Sequence, residues 1–365
     1  MTGRDVRRAM FVGSYASGEQ PGIHCLMVGA DGTLQRHDAW SGVENPSYLA
    51  VHPNGTHLYA VSETGVTTDD TPGTVHAFRI DVSTAGLELV PLGSRPSGGD
   101  HPCHLRIHPN GRWLVVSNYG SGSFAVLGIE PKGTLGAQRA LIRHVGSGPN
   151  PDRQQGPHVH SSIFTPDGGR LIVADLGIDQ LVTYGFDPLR GIVTEGSVME
   201  MPPGFGPRHL AFHPDGRHLL VVGELDSTIA LLRYDPDLGT VRLLTTLPTL
   251  PVDAPDNLAS HIHISESGRH VYVSNRGHDS IATYDFDPTV GLSLGHIRPC
   301  GGRVPRAFTT VPGEGHLLVA NQASDQVVLL PLSRGGADIE PPVAHLDVPA
   351  PSVVVDAAAI GSLAR

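Results

Sequence analysis

Cysteine, aromatic residues and long apolar stretches are scarce in this 365-residue chain. Cys25, Cys103 and Cys300 are too few and too scattered for a disulfide framework or a Cys-x-x-Cys zinc site. No run approaches the roughly 20 apolar residues that a membrane-spanning helix requires. The N-terminal segment MTGRDVRRAMFVGSYASG also lacks the apolar core of a signal peptide. These absences predict a cytoplasmic protein with no membrane partner.

Positive charge is also in short supply. The chain has 25 Lys and Arg against 36 Asp and Glu, a net charge of −11, so attraction to nucleic acid is not expected. Glycine (45) and proline (31) are abundant, which indicates many turns. Arginines gathered at one place would stand out against this acidic background.

One unit recurs along the chain. In GPRHLAFHPDGRHLLVVGELDS (206–227), two short apolar runs flank a turn, and a third and a weaker fourth run follow. Related copies occupy 45–65, 101–122, 158–179, 258–280 and, less regularly, 304–326. Helical periodicity is essentially absent, which disfavours a parallel βαβ fold. Four short strands per repeat of about 45–55 residues are typical of a β-propeller blade.

The two termini supply a further blade. AMFVGSYASG, PGIHCLMVGADG and TLQRHDAW have the character of second, third and fourth strands, and APSVVVDA that of a first strand. The prediction is therefore an all-β, seven-bladed β-propeller with four-stranded antiparallel blades, forming a single domain over residues 1–365. One C-terminal and three N-terminal strands close the last blade, which leaves no exposed edge in the ring.

Two rings of residues are predicted at one end of the central channel, because the first strand of a blade starts where the second ends. The first ring comprises Ser47, Cys103, His160, Arg208, Ser260, Arg306 and Ser352. The second comprises Tyr15, Glu63, Tyr119, Leu176, Glu224, Arg276 and Gln322. These residues are largely polar and differ from blade to blade, which favours a functional site over a purely structural repeat.

Four members of the rings are candidates for catalysis. His160 could transfer protons, although a structural histidine is the alternative in a chain with 21 histidines. Arg208 and Glu224 could form a plain cross-strand ion pair, or could hold an anion and handle a proton or water. Arg276 has no acidic residue at the partner position of its own strand, Ser260, so it is expected to be an uncompensated clamp for carboxylate or phosphate.

The remaining candidates are assigned to substrate binding or to structure. Glu63, Tyr119, His158, Arg306 and Gln322 are expected to line the substrate funnel. His158 with His160, and His261 with His263, allow a metal site, but no third ligand has a fixed spacing, so neither metal nor cofactor is expected. His104, His209 and His261 are expected to face the blade interior, and a thiol nucleophile at Cys103 is a minor option. The loop 147–157 matches no phosphate-binding pattern.

The segments GPRHLAFHPDG, GELDST, VYVSNRGHDSIATY and LLVANQASDQVVLL resemble the seven-bladed β-propeller lactonase family. That family includes propeller-type 6-phosphogluconolactonases and carboxymuconate-lactonizing cyclases, and the resemblance runs from MFVGSY to APSVVVD. In the cyclases a histidine, a glutamate and two arginines of the channel mouth are implicated in catalysis. They match His160, Glu224, Arg208 and Arg276 of this chain.

The resemblance implies a hydrolase of carbohydrate metabolism that acts on a small anionic lactone of the 6-phosphogluconolactone type. Arg208 and Arg276 would bind the anionic group and the lactone carbonyl, and His160 and Glu224 would activate water without a metal. Two alternatives stay open. One is a cycloisomerase that closes a lactone on a muconate-type carboxylate, and the other is a non-catalytic propeller that serves as a binding module.

Overall fold

The computed structural model describes residues 7–66, 71–83, 86–313 and 315–357, and strands dominate this part of the chain. The strands form seven four-stranded antiparallel sheets. Blade 1 combines the two ends of the chain. From the inside outwards it contains β28 (Pro351–Asp356), β1 (Arg7–Ser14), β2 (Ile23–Gly29) and β3 (Leu34–Trp40). The predicted closure by one C-terminal and three N-terminal strands is confirmed.

Blades 2 to 7 follow one another along the chain, each from its inner to its outer strand. Blade 2 contains β4 (Leu49–Val51), β5 (His57–Ser62), β6 (Thr74–Ser83) and β7 (Gly86–Pro96), and blade 3 contains β8 (Pro102–Ile107), β9 (Trp113–Asn118), β10 (Ser123–Ile129) and β11 (Leu135–Arg143). Blade 4 contains β12 (Val159–Phe164), β13 (Arg170–Asp175), β14 (Gln180–Asp187) and β15 (Ile192–Glu200), and blade 5 contains β16 (Pro207–Phe212), β17 (His218–Gly223), β18 (Thr228–Asp235) and β19 (Thr240–Pro248). Blade 6 contains β20 (Leu258–Ile264), β21 (His270–Arg276), β22 (Ser280–Asp287) and β23 (Gly291–Pro299), and blade 7 contains β24 (Pro305–Val311), β25 (His316–Asn321), β26 (Gln326–Pro331) and β27 (Ala344–Asp347), with a 3₁₀ turn at Gln322–Ser324.

The inner strands contact one another in sequence around the ring, and β28 contacts β4, so that the ring closes around a central channel. The seven-bladed propeller predicted from the repeats is therefore confirmed.

Apolar side chains hold the ring together between neighbouring blades. Successive residues of a strand point to opposite faces of its sheet, so one strand packs against both adjacent blades. In blade 5, Leu220 and Val222 pack against blade 6, whereas Leu219 and Val221 pack against blade 4. This two-sided burial explains why the second strands are almost entirely apolar, and it makes each sheet depend on its neighbours.

The His-Pro turns at the end of the hairpins opposite the channel mouth link adjacent blades. The imidazole Nε2 of the turn histidine donates to the carbonyl of the turn glycine in the next blade. These bonds are His52 to Gly111 (2.9 Å), His108 to Gly168 (3.0 Å) and His213 to Gly268 (3.1 Å). Each of these glycines has a φ of about +70°, and a Cβ there would lie 2.7 Å or less from the imidazole. The turns therefore need glycine for handedness and for close approach.

Replacing His108 by Ala is expected to lower the free energy of unfolding by about 2–4 kcal/mol, because it removes a buried hydrogen bond and opens a cavity. His108 is buried and packs against Phe164 and Phe186, with ring centroids 4.6 and 5.3 Å away. His52→Ala is the matched control, since that half-buried histidine makes the same bond without packing on a phenyl ring. Urea denaturation measures both, and equal losses would contradict the role of this packing.

Candidate active site

A β-bulge interrupts the start of the inner strand in six of the seven blades. In blade 5 the pairing runs from Pro207 opposite Gly223 directly to Leu210 opposite Val221, so Arg208 and His209 together face one residue. Equivalent breaks lie at Ser352, Cys103, His160, Ser260–His261 and Arg306. A bulge adds an unpaired residue and redirects its side chain. Each bulge thus contains a residue of the predicted first ring.

Side chains of the first ring, together with that of Ser161, link the bulges around the channel. A bulge leaves backbone groups outside the strand ladder, and the bulge carbonyls accept hydrogen bonds from the preceding blade. The donors are Cys103 Sγ to His160 (3.2 Å), Ser161 Oγ to Arg208, Arg208 Nη1 to Ser260 (2.8 Å) and Ser260 Oγ to Arg306 (2.7 Å). Ser352 Oγ similarly donates to the carbonyl of Ser47 (2.9 Å). Burial raises the pKa of the Cys103 thiol, so its bond to His160 is structural and argues against a nucleophile.

Glu224 is the centre of a buried cluster of charges. Its Oε2 lies 2.7 Å from Nε of Arg208 and 2.8 Å from Nη2 of Arg276, and its Oε1 lies 2.6 Å from Nη2 of Arg153. Burial disfavours ionisation, but Arg276 and Arg208 outweigh it and hold the pKa of Glu224 well below its usual range. The expectation that Arg276 is uncompensated is wrong. Its acidic partner comes from the neighbouring blade rather than from its own hairpin.

Arg153 is a member of this cluster that was not predicted from the sequence. It lies in the loop before β12, where Gln154 is fully buried and donates to the carbonyl of Leu176 (2.8 Å). Asn150 caps the same loop, because its side-chain oxygen accepts hydrogen bonds from the backbone amides of Asp152 and Arg153. Arg153 also donates to the hydroxyl of Tyr119 (3.2 Å), and 32% of its side chain is exposed. In the sequence, only the unusual length of the loop before β12 pointed to a contribution of this segment to the site.

The other half of the mouth contains a second charged cluster. Nη2 of Arg306 donates to the Tyr15 hydroxyl (2.6 Å), and its guanidinium lies 5.0 Å from the centre of the tyrosine ring. Tyr15 in turn donates to Glu63 (2.8 Å), which also accepts a hydrogen bond from Ser47. The two clusters together bring four guanidiniums and two carboxylates to one opening, a positive excess in a chain of net charge −11.

His160 lies beside these charges with only 6% of its surface exposed. Its ring centroid is 5.6 Å from that of Tyr119 and 5.3 Å from that of His209. Its Nδ1 has no hydrogen-bond partner among the described residues. Burial, reinforced by Arg208, lowers the pKa of His160 well below its usual value. The imidazole is therefore neutral at neutral pH and is able to accept a proton.

Two of the residues predicted to line the funnel make hydrogen bonds to the backbone rather than to charged side chains. His158 stacks on Tyr119, with ring centroids 4.4 Å apart, and its Nδ1 donates to the Tyr119 carbonyl (2.9 Å). It therefore supports Tyr119. Gln322 is half-buried, and its backbone amide donates to the carbonyl of Val304 (2.9 Å).

The prediction that His104, His209 and His261 face the blade interior is wrong. His209 of blade 5 accepts a bond from Nη1 of Arg208 (3.1 Å), and its Nδ1 lies 2.8 Å from Nδ1 of His261. Its ring is also 5.6 Å from that of His104 in blade 3. Blade 4 separates blades 3 and 5 in the ring, so these rings meet across the channel. The bulges break the strict alternation on which the prediction depended.

A group of possible metal ligands lies at a hairpin turn far from the mouth. Among the described residues, His213, Asp215 and His218 bring their ligand atoms within 4.8 Å of one another. Nε2 of His213 donates to Gly268, and its Nδ1 accepts a bond from the amide of Asp215 (3.1 Å). Both nitrogens of His213 are thus engaged in the blade-linking turn, which explains the cluster as structural.

The chain has clear relatives of known name. A sequence profile described as "Lactonase, 7-bladed beta-propeller" matches residues 9–355. The 6-phosphogluconolactonase of Bacillus subtilis is 34% identical over 322 residues, which cover 87% of this chain and 89% of that protein. A 6-phosphogluconolactonase of Formosa agariphila is 31% identical over 333 residues, covering 88% of this chain and 91% of the relative.

A solved structure has the same architecture. The periplasmic gluconolactonase of Pseudomonas aeruginosa superposes with a TM-score of 0.90 and 31% identity, over 96% of this chain and 99% of that one. In the described part of this chain, no helix is sufficiently long and apolar to cross a membrane. The profile match, the identities and the superposition together show that the chain belongs to the seven-bladed β-propeller lactonase family.

Proposed function

We propose that this protein hydrolyses an anionic sugar lactone of the 6-phosphogluconolactone type at the channel mouth. The observation that carries the proposal is a buried, neutral His160 with a free ring nitrogen beside a group of guanidiniums in excess over carboxylates. Two relatives are named 6-phosphogluconolactonase and a third is named gluconolactonase, which supports a lactone as the substrate class.

The arginines supply the electrostatic part of the reaction. Hydroxide attack on a lactone carbonyl produces an oxyanion, and preorganised positive charge at that position lowers the barrier. Arg208 is almost fully buried and already makes bonds to Glu224, His209 and the Ser260 carbonyl. It is therefore rigid, which suits stabilisation of the oxyanion. Arg276 and the more exposed Arg153 are then available for the anionic group of the substrate.

His160 supplies the proton transfer. The neutral imidazole accepts a proton from water, the resulting hydroxide attacks the carbonyl carbon, and the ring C–O bond breaks. The departing ring oxygen takes the proton from the imidazolium, and the product is an open-chain hydroxy acid. Negative charge on the bound substrate raises the pKa of His160 towards neutrality, so that substrate binding itself improves the base.

Glu224 has a different part in this scheme from the proton transfer first assigned to it. A carboxylate in contact with three guanidiniums is a weak base, because protonation would break three charge-assisted bonds. Its charge instead orients Arg153, Arg208 and Arg276 towards one point. We therefore assign Glu224 as a positioning residue.

Purified protein incubated with 6-phosphogluconolactone, δ-gluconolactone and a muconate-type diacid distinguishes the candidate functions. Release of acid is followed above the spontaneous rate, and ring closure of the diacid is followed by loss of its ultraviolet absorbance. The expected result is fast hydrolysis of the phosphorylated lactone. Ring closure of the diacid would favour the cycloisomerase, and failure to accelerate any reaction would favour a binding module.

Replacing Arg153 by Met is expected to raise KM for the phosphorylated lactone about tenfold, the value of one charge-assisted hydrogen bond, with a small effect on δ-gluconolactone. The physical reason is that Arg153 is the most exposed guanidinium on Glu224 and is held by a compact loop. Arg303→Met is the matched control, since Arg303 is an exposed arginine of blade 7 that donates to the Ala323 carbonyl. Equal changes for both substrates would contradict a contact with the phosphate.

A further inference from the structure

A cavity of about 330 Å³ lies in the channel below the charged mouth. Its polar side chains follow the mouth residues along the inner strands of blades 2, 3, 5 and 6. They are Tyr48, His104, Arg106, His209, His261 and His263. Apolar residues such as Ile163, Phe212 and Ile264 complete the wall. We call this cavity the lower vestibule. Among the residues that the structure describes, none of those lining it carries a carboxylate.

Arg106 is an unneutralised cation in the lower vestibule. Among the described residues no carboxylate lies within ion-pair distance of its guanidinium, and its buried Nε has no hydrogen-bond partner. The four arginines of the mouth, by contrast, are all bonded to a carboxylate or to Tyr15. Arg106 and His104 line the same cavity, and after burial the charge of Arg106 contributes most to lowering the pKa of His104.

The imidazoles supply further hydrogen-bonding groups without adding negative charge. His104 is 4% exposed, and its Nδ1 has no partner among the described residues. Burial keeps His104, His209 and His261 neutral by lowering their pKa values, and each neutral ring carries one N–H donor. A half-buried guanidinium whose buried Nε has no hydrogen-bond partner, and a buried imidazole nitrogen without one among the described residues, face a cavity large enough for a small molecule. That combination suits an oxyanion.

We propose that the lower vestibule binds a small oxyanion, such as phosphate or a short carboxylate, through Arg106 with help from His104. The site is separate from the mouth, and the inference does not depend on the lactonase reaction. His209 connects the two sites, because it contacts Arg208 on one side and His261 on the other. The lower vestibule and the proposed oxyanion-stabilising arginine are therefore joined through the imidazole of His209.

Isothermal titration calorimetry with inorganic phosphate tests the proposal on the intact chain. Wild-type protein is expected to bind phosphate at two sites, the lower vestibule and the mouth, with separate affinities. Arg106→Met is expected to weaken the vestibule site about tenfold or more while leaving lactone hydrolysis unchanged, because one charge-assisted contact is lost. Arg276→Met should affect the mouth alone. Arg242→Met, an exposed arginine of the outer strand of blade 5, is the control.

Imidazole NMR resonances report the location of binding directly. Phosphate is expected to shift the signals of His104 and His261 in wild type and in Arg276→Met, but not in Arg106→Met. A parallel titration with acetate distinguishes phosphoryl from carboxylate recognition. Histidine shifts with phosphate alone would identify a phosphoryl site, and shifts with acetate alone would identify a carboxylate site. His104→Asn provides a second variant in case Arg106→Met is unstable. Binding that is unchanged in both variants, or shifts confined to His160, would overturn the proposal.

Discussion

His160→Asn is expected to lower kcat for lactone hydrolysis by about 10²–10⁴-fold, the usual range for loss of a general base. The variant should fold normally and bind substrate with little change in KM, because the imidazole is neutral and its Nδ1 makes no hydrogen bond within the described residues. His57→Asn is the matched control. His57 is another buried histidine, but it lies at the opposite end of its blade and bonds to the Lys132 carbonyl.

The pH dependence of the wild-type enzyme provides a second readout of His160. Burial and Arg208 lower the pKa of His160 in the free protein, so its base form persists to pH values below the ordinary histidine range. The acid limb of kcat/KM should therefore lie at low pH. A bound anion raises that pKa, so the acid limb of kcat should lie at higher pH. Both limbs are expected to change in His160→Asn. Normal turnover and an unaltered profile in that variant would remove His160 from the reaction.

Glu224→Gln is expected to lower kcat/KM about 10²-fold or more, because loss of the central carboxylate misplaces the arginines. It is also expected to reduce the free energy of unfolding by about 3–5 kcal/mol, as breaking a buried ion pair leaves uncompensated charge. The substitution preserves shape but removes the negative charge that holds Arg153, Arg208 and Arg276. Steady-state kinetics and urea denaturation measure the two effects.

Glu63→Gln is the matched control for Glu224→Gln. Glu63 is a half-buried carboxylate of the same mouth, but its bonds are to the hydroxyls of Tyr15 and Ser47 rather than to several guanidiniums. Its replacement should therefore have a smaller effect on both stability and activity. A Glu224→Gln protein as stable as wild type would show that the arginines do not depend on this carboxylate. A full loss of activity without loss of stability would favour proton transfer by Glu224 instead.

The repeats were sufficient to predict the fold and the position of the mouth. Blade length, the turn residues and the leftover segments at the termini indicated seven blades and their closure, and the sheet order agrees. Aligning the repeats also placed Arg208, Glu224 and Arg276 at one end of the channel, where the structure brings them into direct contact. Such inferences succeed because equivalent positions of a repeat occupy equivalent positions of the ring.

Three features of the site could not be obtained in this way. Arg153 comes from a loop of blade 4 that has no counterpart in the other repeats, so alignment of the repeats assigned it no position. The ion pair between Arg276 and Glu224 joins two blades, whereas pairing within one hairpin pointed to Ser260. His209 was assigned to the wrong face because a bulge shifts the alternation of side chains at that point.

The sequence by itself determined the architecture, since strand periodicity and turn residues are local properties that recur in every copy of the repeat. It also determined which blades carry charged residues in the two rings of the mouth, but not the position of Arg153. Only the tertiary structure decided which charges neutralise one another and which, like Arg106, are left without a carboxylate among the described residues. Those pairings depend on distances of a few ångströms between side chains of different blades, and in a buried site such distances set both the pKa values and the chemistry.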